Sequence, residues 1–231
     1  MDVHKIGPIT FLQASRAVEE VKERLQGLEN LFKHPLENGT FGTRINFDSD
    51  PNGNPIREGT RLDIAGNPYA SLGVTFKAIP GSQGQIPPGG VYARNFPRGA
   101  TSPPNIVSLA PPDVGPGDNE SYGKIQVQFA KPCSSVTVSV KVSTPFEYLG
   151  MPGGFPTLHA YNSDPTQANA QAISTSSLPM ELVPTTNSTV SPTGTPLTVI
   201  GSWNITYVTF SCPVTPLKDS LVAFFDDLSF F

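Results

Sequence analysis

Charge is scarce in this chain. Asp, Glu, Lys and Arg together make up 15 % of its 231 residues, and the formal net charge is -4. A nucleic-acid partner requires a basic face, so the composition argues against one. No apolar run is long enough to cross a bilayer. The opening residues Met1 to Pro8 carry no apolar segment after Lys5, so no secretory signal is expected. Histidine is nearly absent: His4 and His34 flank a helical segment, and His159 falls in a strand, where a histidine is expected as a satisfied core or surface group. There is no HExxH, P-loop, Ser-nucleophile or paired CxxC motif. Asp226 and Asp227 are adjacent, and in a regular strand they would point to opposite faces, whereas a glycosidase needs two carboxylates facing one substrate. The expectation is therefore a protein that is not an enzyme. Cysteine occurs only twice, at Cys133 and Cys212, each beside a proline at the end of a strand-like run. Those matching settings allow a cross-strand disulfide, with two buried free thiols as the alternative.

Proline (25) and glycine (21) are abundant, yet Phe, Val, Ile and Leu recur throughout. That combination reads as loop-rich all-β structure and not as disorder. The last stretch, Leu221 to Phe231, has the aromatic and β-branched content of a strand shielded on both sides. A hydrophobic terminus of this kind should be paired between other strands. Counting by twos places Val222, Phe224, Leu228 and Phe230 on one face with Asp226 among them. Either a bulge at Asp226-Asp227 re-aims the side chains, or Asp226 points inward at a neutralising partner.

Residues 8 to 34 predict the one convincing helix. Phe11, Ala14, Val18, Val21, Leu25, Leu28 and Phe32 recur at alternating steps of three and four, and Pro35 ends the run. Arg24 and Glu29 flank the seam, where they could pair between chains. The pattern fits a short coiled coil that makes a dimer or trimer, or an amphipathic helix lying on the chain's own β-domain. The expected organisation is residues 1–36 as an oligomerisation or docking helix and 37–231 as the β-domain.

Strands are expected at 43–48, 69–77, 124–129, 134–143, 157–162, 197–200, 205–210 and 221–231, each with β-type alternation and turn residues between. A weak strand is expected near 180–183. Residues 79 to 118 read as a long Pro/Gly-rich loop that holds Tyr92, Arg94, Asn95, Phe96 and Arg98, amphipathic groups suited to a binding surface. Asp48-Ser49-Asp50-Pro51-Asn52-Gly53-Asn54 sets oxygen side chains at alternate positions with glycine sixth, as a calcium loop does. Asp48, Asp50, Asn52 and Asn54 are the candidate ligands, with Asp226 joining if first and last strands are neighbours. The same residues are also what turns are made of. The fold class expected is all-β, a jelly-roll-type antiparallel β-sandwich with an N-terminal amphipathic α-helix.

Phe47-Asp48, Tyr69-x-x-Leu72-Gly73-Val74-Thr75-Phe76, Ile205-x-x-Val208-x-Phe210 and Phe225-Asp226-Asp227-Leu228-x-Phe230 resemble bacterial surface or secreted β-sandwich modules of lectin or carbohydrate-binding-module type, over residues 43–231. The resemblance implies a structural calcium, which suits Asp48 and Asp226. Neither an export signal nor a sorting anchor is expected from the sequence as read, which departs from that pattern. The first functional expectation is an oligomeric structural component of a phage or similar particle, of decoration (cement) or fibre type, on a virion surface and touching neighbouring subunits. The alternative is a lectin-like carbohydrate-binding module of a bacterial surface or secreted protein. Exposed aromatics would serve the latter; Trp203, Tyr92, Tyr148 and Tyr161 are the candidates, although Trp203 between Gly201 and Asn204 reads more readily as a core cap.

Overall fold

The computed structural model describes residues 42–80, 90–109, 123–143, 156–178, 194–211 and 222–231. The helix expected at 8–34, the weak strand near 180–183, Tyr148 and Cys212 lie outside these. The described residues belong to the unit Gly42–Phe231. They form β1 (Thr43–Ile45), β2 (Val74–Pro80), β3 (Tyr92–Asn95), β4 (Asn105–Ser108), β5 (Gly123–Ser143), β6 (Thr157–Tyr161), β7 (Ser174–Ser177), β8 (Thr195–Ser211) and β9 (Val222–Phe230). All pairings are antiparallel.

Two long strands make the architecture. The runs at 124–129 and 134–143, expected as separate strands, are one strand, β5. Those at 197–200 and 205–210 are likewise one strand, β8. Ile125 faces Phe210, and ten residues on, Ser135 faces Ile200. Between them, β5 makes an excursion over residues 129–132 and β8 an equal one over 201–204, so the register lost at one is recovered at the other. The first half of β5 pairs with β2 and the end of β8, which in turn carries β6 and β7. The second half pairs with the start of β8 and with β9, beyond which lie β4 and β3. Val74, Phe76, Val127, Val208, Phe210 and Leu158 from one half meet Val136, Val138, Leu197, Val199, Phe225 and Leu228 from the other in one continuous core. The result is an antiparallel β-sandwich whose two layers share β5 and β8.

The start of β8 has an exposed ladder edge, the kind of template that invites unwanted pairing. Here the Thr198 and Ile200 N–H groups donate to the hydroxyls of Ser176 and Ser174 on β7, at 3.3 and 3.4 Å. Thus the polar stretch 163–196, expected to hold only a weak strand near 180–183, supplies a strand that shields an edge.

Two further expectations are corrected. Tyr69 to Leu72 is not strand: Ala70–Leu72 is a 3-10 turn, closed by Gly73 at φ 72°, and β2 begins at Val74. A Cβ at residue 73 would sit 3.0 Å from Ala130 Cβ and adopt a left-handed backbone, so glycine is required. The segment 79–118 is no structureless loop, because β3 and β4 lie in it and join the same sheet. Their residues are mostly buried on both sides, which removes the alternation by which a strand is recognised.

The terminal strand is paired on both sides, with β5 along one edge and β1 and β4 along the other. The bulge read from its sequence is present, and Asp226 also points inward, onto backbone N–H and hydroxyl groups and not onto a neutralising charge. Thr137 faces Ser229 and Ser139 faces Asp226, so β9 has one extra residue, with Asp227 at φ 49°. The bulge exchanges the faces. Ala223 and Phe225 face the main core before it, and Leu228 and Phe230 after it. Phe224 turns instead to a small second cluster with Ala100, Ile106 and Phe96.

Candidate functional site

The residues expected at sites fall in three places. The first is where the β9 bulge meets the segment 99–105. Asp226 is fully buried there. Its Oδ2 accepts the N–H groups of Thr101 and Ser102, each at 2.8 Å, and its Oδ1 accepts the Asp227 N–H at 2.7 Å. The bulge also brings Asp227 round, so that the two carboxylates share hydroxyls and do not point to opposite faces as expected. Thr101 Oγ1 lies 3.1 Å from Asp226 Oδ2 and 2.6 Å from Asp227 Oδ2. Ser102 Oγ lies 3.2 Å from Asp226 Oδ2 and 2.9 Å from Asp227 Oδ1. Each hydroxyl has one hydrogen. Burial pushes the Asp226 carboxyl up to about 6, with Asp227 adding to the rise and the Ser102 N–H opposing it. Arg44 on β1 pairs with Asp227 at 2.7 Å. Thr101 and Ser102 occupy the space between the carboxylates where a glycosidase would need its substrate.

The Asp48–Asn54 segment is built as a turn. Asp50 Oδ1 accepts the N–H groups of Asn52 and Asn54, and its Oδ2 accepts the Asn54 side-chain amide, all at 2.8 Å. Gly53 at φ 83° closes it. These bonds hold the Asp50 carboxyl below its usual range. Asp48 instead accepts the Asn105 N–H at 2.7 Å, and burial raises its carboxyl. Asp50, Asn52 and Asn54 thus satisfy one another, while Asp48 and Asp226 each bind separate backbone groups of the 101–105 segment. Among the described residues no three His, Cys, Asp or Glu side chains are arranged to hold a metal ion. Tyr69 lies fully buried nearby; its hydroxyl has no hydrogen-bond partner, and its ionisation is pushed up by burial and by Asp48, Asp226 and Asp50.

The second place gathers Tyr92, Arg94 and Phe96, which are framework and not a binding surface. Tyr92 is buried on β3 opposite Ser108, with the Arg61 guanidinium 5.8 Å from its ring centre. Arg94 is buried and lies 3.7 Å from Glu58. Phe96 stacks on Phe224 at 4.7 Å.

The third place is the β8 excursion, and it reverses an expectation. Trp203 is no core cap: it is 66 % exposed, beside Ile200 at 65 %. Its backbone is left-handed, φ 57°, which is uncommon for a bulky residue. A Cβ on Gly201 would come within 2.8 Å of buried Ile205, so the turn that presents Trp203 needs glycine at its start.

Cys133 is a buried free thiol, and burial pushes it up to about 11. Its partner across the ladder is Ile205. Cys212 lies outside the described residues.

Sequence reasoning missed a polar row on the outer face of the β2–β5–β8–β6–β7 layer. Lys77 faces Gln126, Gln126 faces Thr209, Thr209 faces His159, and His159 faces Thr175. The neighbouring row runs Thr75, Gln128, Tyr207, Tyr161. Gln126 and Thr209 are only 3 % and 1 % exposed, and Gln126 Oε1 and Thr209 Oγ1 lack hydrogen-bond partners. His159 Nδ1 and Thr175 Oγ1 are hydrogen-bonded at 2.9 Å, as expected of a satisfied strand histidine. Burial, and secondarily Lys124, pushes the imidazole below its usual range. The signal was present in the sequence as glutamine and threonine at every second place. It was not readable because nothing there says which polar residues become buried.

No family model matches the chain, and no curated protein does. Among solved structures it is similar to cleaved adhesin domains of Lys-gingipain. The K1 domain, from Porphyromonas gingivalis, is 13 % identical with a TM-score of 0.47, over 83 % of this chain and 98 % of that one. The K2 domain is 12 % identical with a TM-score of 0.46, over 83 % of this chain and 99 % of the other. Both are named as adhesin domains, not as lectins or carbohydrate-binding modules.

Proposed function

We propose that this chain is a non-catalytic recognition module of a surface or secreted protein, binding carbohydrate through an exposed aromatic corner. Trp203 is the observation that carries the reading. A large aromatic side chain is left mostly in water, and the backbone beneath it is held in a conformation that costs free energy. Strain of this kind persists where the surrounding structure enforces it, and it concentrates at binding and switch sites. Indole offers a flat apolar face with one N–H donor, suited to the C–H face and hydroxyls of a sugar ring.

The particle-subunit reading is the less favoured one. It rested on a β-sandwich without a signal peptide, on the helix at 8–34, which lies outside the described residues, and on residues 79–118 draping over neighbours. The described part of that segment pairs within the chain's own sheet.

A screen of the full chain against immobilised glycans tests the proposal. Trp203→Ala should weaken the binding found for the wild type at least about tenfold. It should leave thermal stability nearly unchanged, since the side chain is exposed. Wild-type protein that binds no glycan, or binding that Trp203→Ala leaves intact, would overturn the reading.

A further inference from the structure

We propose that Thr209 and Gln126 form an intramolecular ester cross-link between β8 and β5, with His159 as the general base and ammonia as the leaving group.

Gln126 and Thr209 are direct cross-strand partners, so their side chains share one face of the layer. Side chains so placed have Cβ atoms about 4.5–5.5 Å apart, within reach for a threonine hydroxyl and a glutamine amide carbon. Both residues are buried, and Gln126 Oε1 and Thr209 Oγ1 have no hydrogen-bond partner. Native proteins rarely leave such groups unmatched, and each exception calls for an explanation. A hydrogen bond from the hydroxyl to the amide oxygen is the simplest match, and it is not made. An ester supplies another, because it replaces a hydroxyl and an amide with a group that has no donor left to satisfy.

On its other side Thr209 faces His159 of β6. His159 Nδ1 and Thr175 Oγ1 are hydrogen-bonded at 2.9 Å. With Nδ1–H donating to Thr175, Nε2 keeps its lone pair for the Thr209 proton, the arrangement that activates a hydroxyl nucleophile. Burial pushes the imidazole below its usual range, so it is the neutral base at pH 7. Lys77 faces Gln126 from β2, a position from which an ammonium can meet charge building on Oε1.

The step balances without a co-reactant. The Thr209 proton passes to His159 Nε2 as Oγ1 attacks Gln126 Cδ. His159 then hands that proton to the amide nitrogen, the C–N bond breaks with its electron pair on nitrogen, and ammonia leaves. The Oγ1–Cδ bond formed is an ester, nothing is oxidised or reduced, and His159 is regenerated. Burial keeps water from competing with Thr209 and from hydrolysing the product. The link joins the two strands that both layers share and closes a long loop of chain.

Mass spectrometry of the freshly purified full chain tests this. The intact mass should fall short of the sequence mass by about 17 Da, the ammonia lost. A protease digest should contain one branched peptide joining residues 126 and 209, which hydroxylamine separates. Thr209→Val keeps the shape and removes the nucleophile. It should show its full sequence mass and melt lower by roughly 10 °C, as loss of a cross-link across a long loop predicts. Without an ester, the same substitution only removes an unmatched buried hydroxyl, and the melting temperature would hold or rise. His159→Ala should slow conversion, leaving linked and unlinked masses in one sample. Wild-type protein of unaltered mass, or a mass loss with no branched peptide between 126 and 209, overturns the cross-link. Complete conversion in His159→Ala overturns the assignment of the base.

Discussion

Asp226 accepts two backbone N–H groups through one oxygen and a third through the other, yet its carboxyl is raised to about 6. Loss of water outweighs those donors, and Asp227 stands beside it. With both aspartates ionised, the hydroxyls of Thr101 and Ser102 have two hydrogens for four close oxygen contacts, so two contacts are acceptor against acceptor. A proton on Asp226 relieves one of them. The folded-state value lies above the ordinary 3.8, so the stabilisation is full below about 3.8 and is lost as pH rises through about 6. His159 has the opposite sign. Its folded-state value is depressed, so its contribution grows as pH rises towards 6.5. Taking the difference between wild type and Asp226→Asn cancels that term. Melting temperatures measured from pH 4 to 7 should therefore show a downward slope in the wild type, relative to the variant. Parallel curves would mean that Asp226 does not titrate in this window. The sequence already put Asp226 on the apolar face or at a bulge; what it could not give was the donor set, because Thr101 and Ser102 come from 124 and more residues away.

Across whole elements, the two long strands explain why alternation alone described the fold incompletely. Each half of β5 and β8 alternates cleanly, so each half was legible as a strand. The excursions between them look like turns, with Pro132 in one and Gly201 in the other. Only the equal register offsets reveal that the strands continue. The calcium-like loop carries a related ambiguity. Its oxygen-bearing residues close an Asx-type turn on themselves, a use of the same residue types that spacing does not distinguish. At the β8 excursion the strain and the exposure can be separated by substitution. Trp203→Gly relieves a left-handed backbone that costs a bulky residue roughly 1–2 kcal/mol, so the melting temperature should rise by several degrees. The same substitution should abolish glycan binding at the corner. A variant that is less stable than wild type would show that Trp203 packs on the domain and is not held outward at a cost.

For the molecule as a whole, the β-sandwich class was readable from strand count and turn chemistry, while the buried polar row was not, since burial is a property of the assembled layers. The one long-range question left by the sequence concerns residues 8 to 34. Their heptad pattern, with Phe11, Ala14, Val18, Val21, Leu25, Leu28 and Phe32 on one seam, proposes a dimer or trimer. The described domain has its own continuous core, and its first strand starts only at Thr43. A chain starting at Gly42 should then fold with a cooperative thermal transition of its own. Three heptads containing Ala14 and Gly27 are marginal as an isolated coil, so assembly should depend on protein concentration. Light scattering should give two or three times the chain mass for full-length protein at high concentration and a single chain mass for the truncated form. Equal masses for the two would remove the coiled coil. The apolar seam would then have to be covered within a single chain, and the module would act as a monomer without the avidity that a second linked copy supplies.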